Sequence, residues 1–180
     1  MKLHRLFLPS VTLLIVAAST TLALAQQGSD PLNNDEIEAV REARDQPNER
    51  IKLYMKFIDD RIAAIKDLAS EPNVNDRPAL IRAKLEEFTR LSDELQDNLD
   101  TFDSEHADLR KALKDLVPDS AKWPDVLRKP AANAGYDFAR KTALEAAQST
   151  IDQTKKMMED QEKYFAVHKD ERGKNGTGPT

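Results

Sequence analysis

Apolar residues recur at intervals of four and three along three long segments of the chain. The stripe of the first segment is Ile51, Met55, Ile58, Ile62, Ile65 and Ala69. That of the second is Ile81, Leu85, Phe88, Ser92, Leu95, Leu99, Phe102, His106, Leu109, Leu113 and Leu116. The third has Leu144, Ile151, Met158 and Phe165, spaced by seven. This period gathers side chains on one face of an α-helix, and a strand could not produce it.

Proline positions predict where these helices begin and end. The first segment starts near Asn34, a candidate N-cap, and Pro47 should break or kink it, because proline lacks an amide donor and clashes with the preceding turn. The second runs from about Pro78 to Val117 without an internal glycine or proline. We therefore predict one continuous helix there, about 55 Å long. The third runs from residue 131 or 136 to about residue 169.

Three amphipathic helices with short connections predict an all-α fold without a sheet. Narrow apolar stripes must be buried against one another, and short connections make successive helices antiparallel. We expect an elongated antiparallel three-helix bundle over residues 35–170, with a fourth helix if residues 35–46 fold back. In that bundle the second and third helices pair with residue numbers that sum to about 250, which places His106 near Glu145 and His168 near Arg82.

The two ends of the chain differ from this central domain. Lys2 and Arg5 precede an apolar stretch, and Ala23-Leu24-Ala25 fits a signal-peptidase site. Residues 1–25 are therefore predicted to be a cleavable secretory signal of a bacterial periplasmic or secreted protein; an uncleaved membrane anchor is the alternative. We expect residues 26–34 to be flexible and the glycine-rich residues 171–180 to be disordered.

Composition excludes several functions. Removing Lys2 and Arg5 with the signal lowers Lys and Arg from 27 to 25 against 32 acidic residues. That excess of negative charge argues against a nucleic-acid partner. The chain has no cysteine, so it has no disulfide, thiol nucleophile or thiolate metal site. No activated nucleophile and no glycine-rich phosphate loop stand out, so we predict that the protein is not an enzyme.

Two groups of residues are candidates for binding a partner. Leu53 and Phe57 lie one turn apart, mostly off the apolar stripe of the first helix, and form either an exposed patch or a surface that residues 35–46 cover. Asp93, Asp97 and Asp100 share one outward face of the second helix. This face is either simply solvated or a surface for a basic partner or a weakly bound cation.

Ser92 and His106 interrupt the stripe of the second helix and are predicted to be polar core residues that fix its register. A metal site there would need further ligands, but the chain has neither Glu-x-x-His nor His-Glu-x-x-His. Without Cys-x-x-Cys-His, covalent haem attachment is also excluded. We predict no metal and no cofactor.

These observations favour a protein that acts through protein–protein interaction, as an adaptor or in a chaperone-like role. The partner would be another envelope protein or a second copy of the chain, and no stable membrane insertion is expected after the signal is removed. The first alternative is a small-molecule or metal-binding bundle that uses His106 and the acidic face. An enzyme of unknown type is the third.

Overall fold

The computed structural model describes residues 30–175. The predicted signal, residues 1–25, lies outside the described residues. Six α-helices follow one another in the described part: α1 (Asn34–Glu42), α2 (Pro47–Ser70), α3 (Arg77–Ser104), α4 (Arg110–Ser120), α5 (Trp123–Leu127) and α6 (Asp137–Val167). A single 3-10 turn, Lys169–Glu171, comes after them. The described residues form no strand, so the prediction of an all-α fold is confirmed for this part of the chain.

Helix α1 is a separate helix that folds back along α2. Asn33, one residue before the predicted cap, accepts a hydrogen bond from the Glu36 amide, and the Glu36 side chain accepts one from the Asn33 amide. This capping box fixes the start of α1. Pro47 is the first residue of α2, where its missing amide costs nothing. The predicted break at Pro47 and the fold-back of residues 35–46 are thus both observed.

A buried ion pair holds α1 in this position. Arg61 of α2 donates to both carboxylate oxygens of Glu36, with 2.8 Å between Nη2 and Oε2, and its Nε donates to Glu87 of α3 at 3.0 Å. The same guanidinium reaches the carbonyl of Pro31 at 2.6 Å. Burial raises the pKa of Glu36, but the hydrogen bonds from Arg61 and Asn33 outweigh it, and the pKa is lowered. One side chain therefore ties residues 31–36 to α2 and α3.

The predicted continuous helix over residues 78–117 is wrong, because the chain turns between α3 and α4. Helix α3 ends at Ser104, and His106 takes a left-handed conformation with φ 57°. Helix α4 then begins at Arg110 and continues past the predicted end to Ser120, with Pro118 inside it. The apolar spacing survives the turn because Ala107 and Leu109 are themselves buried in it.

This turn changes the topology from the predicted one. The hydrogen bonds between α3 and α6 pair residues whose numbers increase along both helices: Gln96 with Ser149, Asp100 with Gln153, and Asp103 with Gln161. The two helices therefore run parallel, and the antiparallel pairing with numbers summing to about 250 is wrong. Reversal of the chain at His106 is the physical reason, since α4 and α5 supply the antiparallel return.

The described helices surround the core as four aligned segments. Helix α2 packs on α3 and on α4–α5, and α6 packs on α3 and on α4–α5. Asn48 contacts residues 108 and 112, and Asp59 contacts Trp123, so α2 and α4–α5 also run parallel. In place of the predicted three-helix arrangement, four segments (α2, α3, α4–α5 and α6) pack together, with α3 and α4 diagonally opposite each other. Trp123 is buried, with its ring edge-on to Phe88 at 5.7 Å.

Candidate partner-binding site

An open groove of about 630 Å³ lies at one end of the bundle. We call it the polar groove. It lies where α2, α4 and α6 meet the chain after α6. Its walls include Asn48, Asp108, Arg110, Lys114, Met158 and Glu162.

Asn48, which lines the polar groove, and Gln161 both cap the α3–α4 turn. The Asn48 side chain donates to the Asp108 carbonyl at 2.7 Å and accepts from the Ala112 amide at 2.9 Å. A residue of α2 thus supplies a hydrogen-bond partner for a backbone amide in the first turn of α4, which has no partner within its own helix. From α6, Gln161 accepts from the Leu109 amide at 2.8 Å and donates to the Ala107 carbonyl at 3.0 Å. These four bonds hold a turn that contains neither glycine nor proline.

Asp108 and Arg110 form the charged centre of the polar groove. The guanidinium of Arg110 donates to both carboxylate oxygens, at 2.8 Å from Nε and 2.6 Å from Nη2. These hydrogen bonds lower the pKa of the Asp108 carboxyl. Asp108 is 8% exposed, and Arg110 also lies over the Phe165 ring at 4.7 Å. Both charges are therefore fixed in orientation, which suits recognition of polar groups.

A second open groove, of about 410 Å³, lies between α1 and α2. We call it the α1–α2 groove. Ala39, Ala43 and Leu53 supply its apolar surface, and the charged residues Glu42, Lys52 and Lys56 also line it. Gln46 and Glu49 line both grooves, so the two adjoin each other along the exposed side of α2.

Leu53 and Phe57, predicted as one candidate patch, have different environments. Phe57 is 3% exposed and contacts the Tyr54 ring edge-on at 6.5 Å, so it belongs to the core rather than to an exposed patch. Leu53 is partly buried and lies in the α1–α2 groove. The fold-back of α1 thus leaves Leu53 as the accessible member of the pair.

Asp93, Asp97 and Asp100 lie exposed on α3, as the helical spacing predicts. Partial burial, and after it the charge of Asp97, raise the pKa of Asp93. Asp100 accepts a hydrogen bond from Gln153 of α6 at 2.7 Å. None of the three lines either groove, and their role toward a basic partner stays a prediction.

The two predicted polar core residues are also placed differently. Ser92 is completely buried, and its hydroxyl has no hydrogen-bond partner among residues 30–175, so it is a polar core residue. His106 is exposed, and the prediction that it lies in the core beside Glu145 is wrong, because the helix ends before it.

His106 instead belongs to a stack of three rings. It lies parallel to the Tyr164 ring with 5.0 Å between ring centroids, and Tyr164 stacks on His168 at 4.0 Å. The two histidines are thus neighbours of one tyrosine, not at separate levels of the bundle. Within residues 30–175, no group of three or more His, Cys, Asp or Glu side chains is arranged to hold a metal ion.

Sequence reasoning missed Asn48, Asp108 and Arg110, which line the polar groove, and Gln161, which caps the α3–α4 turn beside it. The available signal was the polar run Asp103-Ser104-Glu105-His106 inside an otherwise regular apolar stripe. No described helix combines the length and apolar character needed to cross a membrane. No protein-family model, curated protein or solved structure matches the chain.

Proposed function

We propose that this chain is an exported, non-catalytic helical protein that acts by binding a protein partner, as an adaptor or in a chaperone-like role. The observation that carries the proposal is the pair of adjoining open grooves, which share Gln46 and Glu49. A small-molecule site is usually an enclosed cleft that buries most of its ligand. An extended, open surface with both apolar and charged residues fits a segment of another protein better.

Leu53 is the residue on which this proposal can be tested. It offers apolar surface in the α1–α2 groove, with Lys52 and Lys56 on the same helix and Glu42 on the facing one. Opposite charges around an apolar centre favour a partner segment that carries both charge signs. In the periplasm that partner would be another envelope protein or a second copy of the chain.

The experiment is photo-crosslinking in the producing cell. A photoreactive amino acid at the exposed position Glu42 should give a discrete adduct, which mass spectrometry identifies as one protein. The same amino acid at Gln148, exposed on α6, is the matched control and should not give it. Leu53→Asp should remove the adduct at position 42 while Trp123 fluorescence stays native. Equal adducts at both positions, or an adduct that Leu53→Asp does not change, would contradict the proposal.

The alternative, a small-molecule binder, is favoured by the volume of the polar groove, which lies within the usual range for ligand sites. Native mass spectrometry of protein purified from its own envelope distinguishes the two. A stoichiometric small adduct, lost in Lys114→Glu, would support the alternative.

A further inference from the structure

The chain after α6 forms a strap over the end of the bundle. We define the strap as residues 168–175. The Gly173 amide of the strap donates to Asp108 Oδ2 at 2.9 Å, and the Asp108 amide donates to the Lys174 carbonyl at 3.1 Å. Asn175 donates to the Asp45 carbonyl at 3.0 Å. The sequence predicted disorder from residue 171, but residues 171–175 make these bonds; residues 176–180 lie outside the described part.

Apart from the stack of His168 on Tyr164, polar contacts hold the strap. Arg172 donates to the Phe165 carbonyl at 2.7 Å, and Tyr164 donates to Glu171 at 2.8 Å. No residue of the strap is buried, so detaching it exposes little apolar surface. Segments with few buried apolar contacts open locally at a much lower free energy than the global unfolding of the domain. The strap can therefore detach while the bundle stays folded.

Detachment would uncover a preformed recognition element. Gly173 and Asn175 line the polar groove, so their departure enlarges it. Asp108 keeps its orientation through Arg110, and its own carbonyl stays bonded to Asn48. What it then offers is one acceptor, Oδ2, and one donor, its amide, which together hold the backbone of a glycine-containing segment.

We propose that the strap occupies the place of a partner, and that the partner binds the polar groove as a glycine-containing turn segment in competition with the strap. In the strap, the Lys174 amide donates to the Glu171 carbonyl at 3.2 Å and closes such a turn. This inference rests on the proposed function and names the chemistry of the partner. Both bonds from Asp108 go to backbone atoms, so they select chain shape rather than side-chain sequence. The left-handed conformation of Gly173, with φ 73°, favours a glycine at that position of the segment.

Gly173→Ala provides a mild perturbation of the strap. A Cβ there would meet no atom within 4 Å, so the substitution acts only through backbone strain at φ 73°. That strain should raise the open fraction of the strap about fivefold to thirtyfold. Gly135→Ala is the control away from the strap, because Gly135 has no positive φ and lies in the turn before α6. A Cβ there would approach Asn133 Oδ1 to 3.0 Å, so any effect of this substitution is local to that turn.

The first measurement is amide hydrogen exchange of the purified protein. The Asp108 amide should exchange at least about tenfold faster than the Leu99 amide of α3. Gly173→Ala should accelerate Asp108 by about fivefold or more and leave Leu99 unchanged. Gly135→Ala should change neither ratio. Equal exchange at Asp108 and Leu99, unaffected by Gly173→Ala, would show a permanently fixed strap and overturn the inference.

In the second measurement, the full chain is titrated into a fluorescein-labelled peptide of residues 168–175, and the anisotropy of the peptide reports binding. Binding should strengthen about fivefold or more with Gly173→Ala and be lost with Asp108→Ala. Faster exchange without stronger peptide binding would overturn the claim that the groove accepts a partner segment. Adducts at Glu42 that persist in that case would leave the proposed function standing, so the two failures are distinguishable.

Discussion

Gln161 is predicted to be the residue that holds the α3–α4 turn, and Gln161→Met tests this. The side chain is 3% exposed, and methionine has nearly the same length and shape. The substitution removes the acceptor of the Leu109 amide and the donor to the Ala107 carbonyl, and both of these residues are fully buried. A buried backbone group without a partner costs about 1–3 kcal/mol. The third bond, to exposed Asp103, adds little.

We therefore expect Gln161→Met to lower the free energy of unfolding by about 3 kcal/mol. Urea unfolding followed by fluorescence of Trp123, the only tryptophan, measures the loss. Gln153→Met is the matched control on the same helix, because the Gln153 amide bonds exposed Asp100 and its replacement should cost about 1 kcal/mol or less. A loss below about 1 kcal/mol for Gln161→Met, or one equal to the control, would refute the assignment of the turn to Gln161.

Three further substitutions test the turn, the core and the ion pair. His106→Leu should destabilise the protein by about 1 kcal/mol, because leucine tolerates φ 57° poorly, whereas His106→Asn should be neutral; thermal unfolding compares them. Burial raises the pKa of Asp59, so its ionised form weakens the fold above pH 3.8. Asp59→Asn keeps an acceptor for the Trp123 indole and should be equally or more stable at pH 7, with the gain vanishing as pH falls below 3.8. Lower stability of this variant at pH 7 would contradict the reasoning. Glu36→Gln should lower the free energy of unfolding by about 2 kcal/mol at pH 7, because Arg61 loses its charged partner. The pKa of Glu36 is lowered, so this stabilisation is present above pH 4.5 and lost at lower pH. Urea unfolding should therefore show a smaller effect of the substitution at pH 3 than at pH 7.

Helix content was readable from the sequence, and the direction of the chain was not. The four-three spacing marks Ile81 through Leu116 as helical, and all but the turn is helical. The spacing failed at the turn because Ala107 and Leu109 are buried there, so the apolar rhythm continues while the backbone reverses. Histidine tolerates a left-handed conformation better than most residues, and no glycine was needed to mark the position.

The candidate site, like the fold, was only partly predictable from the sequence. Leu53 was found because an apolar residue off the stripe is visible in sequence. The polar groove was not found, because it depends on Asn48 meeting Asp108, 60 residues away, once α4 has turned back. Local patterns carry no information about such pairings, which only the topology creates. The strap was hidden for another reason, since its composition is that of a disordered tail and backbone hydrogen bonds leave no mark on composition.

The parallel pairing of α3 and α6 has a consequence for how the chain folds. Helices α2 and α3 are joined by a short connection and can form a hairpin from local contacts, which is a fast step. The contacts between α3 and α6 join residues 53–58 positions apart, as in Gln96 with Ser149. Closing loops of that length is slow, and during synthesis the α6-facing side of α3 stays uncovered until the chain has reached α6. That uncovered surface of α3 is prone to aggregation until α6 docks, and the stretch of chain between α3 and α6, including the turn at His106, delays the docking.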